Sequence, residues 1–186
     1  IGMTINNTAF ILLWVFFVKS VGLIGGWTAA DIVALQGFTA LCFGIVFSFG
    51  AGLRKLPEQV TNGTFDRFML SPKNILARVC TSSFGVSGLG DIVFGIVCLV
   101  IYGFLIHVNL LQVLLIIVLV VLSTMLFFAV AVACYSASFY FDDATFVVSG
   151  LFELFFTPSL FHGGAFQGAM RAFFMFVIPA LLVGTI

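Results

Sequence analysis

Charge is the scarcest property of this sequence. Charged residues make up 8% of the chain, whereas roughly a quarter of the residues are charged in soluble domains. The seven Lys and Arg residues balance the seven Asp and Glu residues, so the formal net charge is zero. A neutral chain with so few charges is not a soluble domain, and its zero net charge argues against nucleic acid as a partner.

The short motifs of enzymes are also missing. The sequence contains no phosphate-binding loop of the form GxxxxGK[ST], no GxSxG and no HExxH. The cysteines stand singly, without CxxC spacing, and are interpreted as small buried hydrophobes: Cys42, Cys80, Cys98 and Cys134. The two histidines, His107 and His162, both fall in predicted outer loops. We therefore expect no ATPase site, no metal and no cofactor, and we predict that the chain is not an enzyme.

Apolar residues are abundant: 62% of the chain is hydrophobic, with 25 Phe and a mean hydropathy of +1.30. These residues form continuous runs rather than alternating with polar ones, which predicts helices instead of a barrel. We expect an all-α integral membrane protein, a polytopic helix bundle in one transmembrane domain, 1–186. The predicted membrane segments are 4–24, 31–52, 84–106, 110–134 and 146–160. Residues 161–185, interrupted by Pro179, predict an outer re-entrant or interfacial element.

Local signals refine this outline. Thr28 to Asp31 has capping-box spacing at the start of the second segment. Small residues recur every four positions in two segments: Gly44, Ser48 and Gly52 in the second, and Ala129, Ala133 and Ala137 in the fourth. Such repeats predict close helix packing. We favour ordinary contacts within the bundle over a dedicated dimer seam.

A polar island from Leu53 to Arg78 carries five of the seven basic residues, so the positive-inside rule places this loop in the cytoplasm. Pro57 and Glu58 suit the start of a short helix that Asn62 and Gly63 would end. An apolar cluster follows: Phe65, Phe68, Met69 and Leu70. The pattern predicts a short amphipathic helix that either docks on a soluble partner or only floats on lipid.

Two acids fall within predicted membrane segments, Asp91 and Glu153. A carboxylate there is costly, so each is a candidate pathway or gating residue. For Asp91 the alternative is an acid near a helix N-terminus, favoured by the helix dipole. A membrane-embedded enzyme would have to use these two residues, which lie on different segments with no recognisable partner.

Several motifs in a fixed order resemble those of the ABC type-2 exporter permeases. They are GWTAAD at 26–31, LPE at 56–58, GTFDRFMLSP at 63–72, GLFELF at 150–155, and Ile178-Pro179. The resemblance implies a half-transporter of six helices in the bacterial inner membrane, driven by a separate cytoplasmic ABC ATPase subunit that binds the ATP. It also implies a second permease protomer, in a homodimer or a heterodimer.

The same resemblance implies a coupling helix that docks on the ATPase. The matching residues are Leu56, Pro57, Glu58, Gly63, Phe65 and Asp66. The lead-in helix and the sixth membrane helix of the family are not matched, so we expect this sequence to be a fragment of such a permease. The alternative function is a channel or secondary transporter that needs no ATPase. Paired intramembrane charges or inverted repeats would indicate it, and no convincing repeat is present.

Overall fold

A computed structural model describes residues 2–21, 27–70, 72–141, 144–161, 166 and 168–177. The helices in chain order are α1 (Gly2–Val21), α2 (Ala29–Phe49), a 3-10 helix (Ala51–Lys55), α3 (Leu56–Thr61), α4 (Asp66–Met69), α5 (Ile75–Cys80), α6 (Val86–Ile106), α7 (Leu110–Ser136), a second 3-10 helix (Ala137–Phe139), α8 (Thr145–Ser159), α9 (Gly168–Ala172) and a π-helical turn (Phe173–Val177). The all-α helix bundle predicted from the apolar runs is confirmed.

Three helices of the described residues, α2, α6 and α7, are long and apolar enough to cross a membrane. At a rise of about 1.5 Å per residue, a helix of about 20 residues matches the ~30 Å hydrocarbon layer. The apolar part of α1, Ile5–Phe16, and α8 are shorter. We call the end of the bundle where α2 ends and α6 begins the loop face, because the short helices α3, α4 and α5 lie there.

The capping box predicted at the start of α2 is confirmed. The Thr28 side chain accepts from the Asp31 N–H, and the Asp31 carboxylate accepts from the Thr28 N–H at 2.8 Å. The Tyr102 hydroxyl also donates to Asp31 Oδ1 at 2.8 Å. One carboxylate therefore caps α2 and fastens it to α6 at the end opposite the loop face.

Small residues bring α2 and α6 into close contact. A Cβ added to Gly44 would lie 2.8 Å from the Gly88 carbonyl oxygen, and a Cβ added to Gly88 would lie 2.5 Å from Ser48 Oγ. Seven residues further along α6, Gly95 packs against the backbone of Gly37 on α2. The repeat that contains Gly44 and Ser48 therefore packs inside the bundle, as ordinary contacts between two helices of one chain.

Aromatic side chains fill the space between α7, α8 and the loop-face end of α2. Phe127 and Phe155 are fully buried, and their ring centroids lie 5.1 Å apart at 78°. Phe152 packs edge-to-face on Phe47 at 5.2 Å. Edge-to-face pairs add to the free energy of burial itself, so α8 is held by aromatic packing where α6 is held by glycine contacts.

The structure corrects the prediction of close packing that was made from the alanine repeat. Ala129 and Ala133 are exposed on the surface of this chain, so the prediction that these two pack closely is wrong within it. Ala137, the third member of the repeat, lies just after α7 and packs against the core. The buried face of α7 instead consists of Ser123, Phe127, Ala131 and Tyr135. Among the described residues only one side of α7 is packed, and Ala129 and Ala133 lie on the other side.

The loop face is built from short helices that pack onto the bundle. Leu53 and Leu56 are buried, and Gly52 lies directly against the Val79 carbonyl oxygen of α5, leaving no room for a side chain. Cys80 ends α5, and burial raises the pKa of its thiol. Of the predicted outer element 161–185, α9 and the π-helical turn are described. His162 and Pro179 lie outside the described residues.

Candidate functional site

Side chains from α1, α2 and α6 meet the end of α8 around a cavity of about 280 Å³. The polar lining residues are Asn6, Asn7, Gln36 and Asp91, and the aromatic ones are Phe10, Phe43, Phe94 and Phe156. Buried polar groups in an apolar helix bundle are costly and typical of functional positions. This cavity is the first part of the candidate site.

Asp91 is the charged member of the cavity and is only 4% exposed. Its Oδ1 accepts a hydrogen bond of 2.6 Å from Asn7 Nδ2, and its Oδ2 is buried without a hydrogen-bond partner in the described part of the chain. Asp91 is the sixth residue of α6, beyond the first turn. The helix dipole acts mainly within that turn, so the dipole alone does not account for this carboxylate.

Gly44 makes this burial possible. A Cβ on Gly44 would lie 2.9 Å from the Asp91 Cβ, closer than two carbon atoms can approach without displacement. The absence of a side chain at 44 lets α6 bring Asp91 against α2. The small-residue repeat thus has a role beyond helix packing, which the sequence did not reveal.

The end of α8 is tied to α2 by polar side chains. Gln36 Nε2 donates to the Leu160 carbonyl oxygen at 2.7 Å, and Thr39 Oγ1 donates to the Ser159 carbonyl oxygen at 3.4 Å. The last carbonyls of a helix lack intrahelical donors. α2 supplies donors to them, and in doing so it fixes one wall of the cavity.

Arg54 of the first 3-10 helix approaches this region from the loop face. Its guanidinium carbon lies 3.9 Å from the ring centroid of Phe47 and 5.4 Å from that of Phe43, a residue of the cavity wall. It also interacts electrostatically with Tyr135 and Asp91. Arg54 is one of the five basic residues of the loop 53–78, whose positive charge predicted the cytoplasmic side. Its stacking on two rings one turn apart is a cation–π contact that charge counting could not reveal.

The six predicted coupling residues divide into a buried and an exposed set. Leu56, Pro57 and Phe65 are buried, and the Phe65 ring packs on Phe139 with centroids 4.8 Å apart. Glu58, Gly63 and Asp66 are exposed. Gly63 has a φ of +66°, which glycine adopts without strain. The segment therefore has an apolar side on the bundle and a polar side at the surface.

Glu153 is exposed on α8 and does not line the cavity around Asp91. The structure therefore does not bring the two predicted pathway acids together in one pocket; it brings Asp91 to Asn7, on α1.

Within the residues described, no group of three or more His, Cys, Asp or Glu could hold a metal ion. Asn7 and Gln36 were missed by the sequence analysis because single amides in apolar helices carry no motif.

The fold and the site define a class of protein, a multi-pass α-helical membrane protein with a polar cavity inside its bundle. The family model described as ABC-2 family transporter protein matches residues 4–186, so the chain belongs to this family. It is thus a membrane permease component of an ABC transporter, a family whose members associate with an ABC ATPase. Neither the curated proteins nor the solved structures gave a significant match.

Proposed function

We propose that this chain is the transmembrane permease subunit of an ATP-driven exporter in the bacterial inner membrane. Two permease protomers form the path, and a separate cytoplasmic ATPase drives them through the loop 53–78. The charge pattern supports this orientation, because five of the seven basic residues lie in that loop and positive charge marks the cytoplasmic side. The loop face is then the cytoplasmic face.

The observation that carries the proposal is that the segment from α3 to the start of α4 has one side buried in the bundle and one side exposed. Leu56 and Pro57 are buried in the bundle, whereas Glu58 and Asp66 present carboxylates at the surface. An ATPase that binds the exposed side would move α3. Because the other side is packed, the movement would reach α7 and α8 rather than being lost in a flexible loop.

The packing offers a physical route from this segment to the path. Phe65 contacts Phe139, directly after α7, and Arg54 precedes α3 and stacks on Phe47 of α2. When ATP brings the two ATPase subunits together, α3 shifts, and the loop-face ends of α2 and α7 shift with it. Packed helices move as bodies between discrete arrangements, and this motion opens the path between the protomers.

Charge reversal on the exposed side tests the coupling. The Glu58→Lys, Asp66→Lys variant of the full-length protein is co-purified with its ATPase, and stimulated ATP hydrolysis is measured. We expect association to weaken at least about tenfold, because the two carboxylates that the proposal places against the ATPase are replaced by charges of the opposite sign. Thr81→Lys adds one positive charge to an exposed position of the loop face outside 56–66 and serves as the control. Unchanged association together with unchanged hydrolysis would contradict the proposal.

Asp91 is proposed as a gating residue of the path. Asp91→Asn keeps an oxygen that can accept from Asn7 but removes the buried charge. We expect reduced transport with unchanged association with the ATPase. Glu153→Gln removes an exposed carboxylate outside the cavity and should reduce transport less. Equal effects of the two substitutions would show that the cavity has no special role.

One observation favours a second function, an ATPase-independent channel or secondary transporter. A buried carboxylate of which one oxygen has no hydrogen-bond partner in the described ranges could bind an ion or a proton by itself. Proteoliposomes that contain the permease alone separate the two functions. Flux without any ATPase would favour the carrier, and flux that requires the ATPase and ATP would favour the exporter.

A further inference from the structure

A second cavity, of about 380 Å³, lies on the loop face among α3, α4 and α5. Its lining residues are Gln59, Thr64, Arg67, Phe68 and Arg78. Two of these five residues carry a positive charge, and none of the residues described as lining the cavity carries a negative one. Two guanidinium groups that share a cavity without a carboxylate repel each other, and an anion between them would remove that repulsion.

Arg78 is fixed in position before any ligand arrives. Its Nη1 donates to the Phe68 carbonyl oxygen at 2.7 Å, and its guanidinium carbon lies 5.4 Å from the Phe68 ring centroid. The side chain is half-buried, and its remaining N–H groups can serve a ligand. Arg67 belongs to α4 and is exposed, so it can close on a ligand from the other side.

Besides the two arginines, the cavity is lined by Phe68 and by two polar residues, Gln59 and Thr64. Gln59 Oε1 is buried, and it lacks a hydrogen-bond partner among the residues that the structure describes. A carboxamide that turns about its terminal bond presents two N–H donors to the same space. The Thr64 hydroxyl donates its one proton to the Gln59 backbone carbonyl oxygen at 3.3 Å, so the donors that face an oxyanion here belong to Arg67, Arg78 and the Gln59 amide.

We propose that this cavity binds a phosphate group. Guanidinium groups bind phosphate in bidentate fashion, and two of them with an amide can contact several of its oxygens at once. The phosphate can come from the head group of an anionic lipid or from free phosphate. Exposed apolar side chains near the cavity favour the lipid, since Met69 and Leu70 are 58% and 85% exposed and suit the boundary between head groups and acyl chains. The site does not depend on the proposed coupling to an ATPase.

Binding to the purified full-length chain in neutral detergent tests the proposal. The probes are dioctanoyl phosphatidylglycerol, dioctanoyl phosphatidylcholine and inorganic phosphate, with bound species counted by native mass spectrometry. Arg67→Gln is the main variant, because it removes a charge from an exposed side chain and does not disturb the bond from Arg78 to Phe68. Arg78→Gln is the second variant, with its folding checked by gel filtration. Lys73→Gln removes one charge from an exposed position of the same loop outside the cavity and is the control.

We expect phosphatidylglycerol to bind more tightly than phosphatidylcholine, and Arg67→Gln to weaken it about tenfold, equivalent to about 1.4 kcal/mol. Lys73→Gln should change the affinity less than twofold. Failure of millimolar phosphate to displace the lipid identifies the head group as the ligand, and displacement with the same dependence on Arg67 identifies free phosphate; both support the site. Equal losses for Arg67→Gln and Lys73→Gln, or no loss with Arg67→Gln, would overturn the proposal, because binding would then reflect diffuse charge or another site.

Discussion

The contact between α2 and α6 gives the sharpest prediction of stability. In Gly95→Ala the new Cβ would lie 2.5 Å from the Gly37 carbonyl oxygen and 2.6 Å from the Leu41 Cβ. Contacts of this kind relax only by moving one helix by about 1 Å, and overpacking in a tight interior costs about 1–3 kcal/mol. Alanine recovers up to about 1 kcal/mol through its helix propensity. With that recovery complete, we expect a net loss of up to about 2 kcal/mol.

Gly150→Ala is the matched control, because a Cβ at this α8 position would meet no described atom within 4 Å. It should gain up to about 1 kcal/mol from the same propensity term. The assay is reversible unfolding in mixed micelles by titration with sodium dodecyl sulfate, followed by tryptophan fluorescence. Gly95→Ala should unfold at a lower detergent fraction than wild type, and Gly150→Ala at the same or a higher one. Equal midpoints for the two variants would refute the view that contact with the α2 backbone requires glycine at position 95.

Three further predictions concern other parts of the chain. Phe127→Ala empties a fully buried position next to Phe155 and should cost about 3–5 kcal/mol in the same titration, whereas Met125→Ala, 65% exposed, should cost much less. Thr28→Ala removes the cap of α2 and should cost about 1 kcal/mol. Because burial raises the pKa of the Cys80 thiol, its thiolate is depleted at neutral pH. Alkylation of a variant that keeps only this cysteine should be slower than that of a free thiol, and its rate should rise at higher pH than the free thiol requires; an identical pH profile would contradict this.

The helical fold could be predicted from the sequence because its signals are local. Apolar runs indicate helices wherever the backbone must satisfy its own hydrogen bonds in lipid, and a capping box depends on residues three apart, Thr28 and Asp31. The short helix from Leu56 was likewise expected from Pro57 and Glu58, and α3 begins there. These features need no knowledge of how the helices pack.

The site could be predicted only in part, because its contacts join distant residues. Asp91 was predicted as a candidate pathway or gating residue, but its partner Asn7 is 84 positions away on α1. The rotation of a helix about its axis decides such a contact, and a nearly uniform apolar sequence does not define that rotation. The alanine repeat failed for the same reason: the spacing of Ala129 and Ala133 shows that they share a face of α7, but not that a helix of this chain covers that face.

The length of α7 has a consequence for the surrounding bilayer. Its 27 residues span about 40 Å at 1.5 Å per residue, which exceeds a hydrocarbon layer of about 30 Å. The helix must tilt, project beyond the layer or thicken the lipid around it, at a fraction of a kcal/mol per Å of mismatch. Phe139, which contacts Phe65, lies directly after this helix, so where the helix meets a thinner layer by projecting further, this contact moves away from the hydrocarbon. Acyl-chain length therefore becomes a variable that acts on the permease without any change in its sequence.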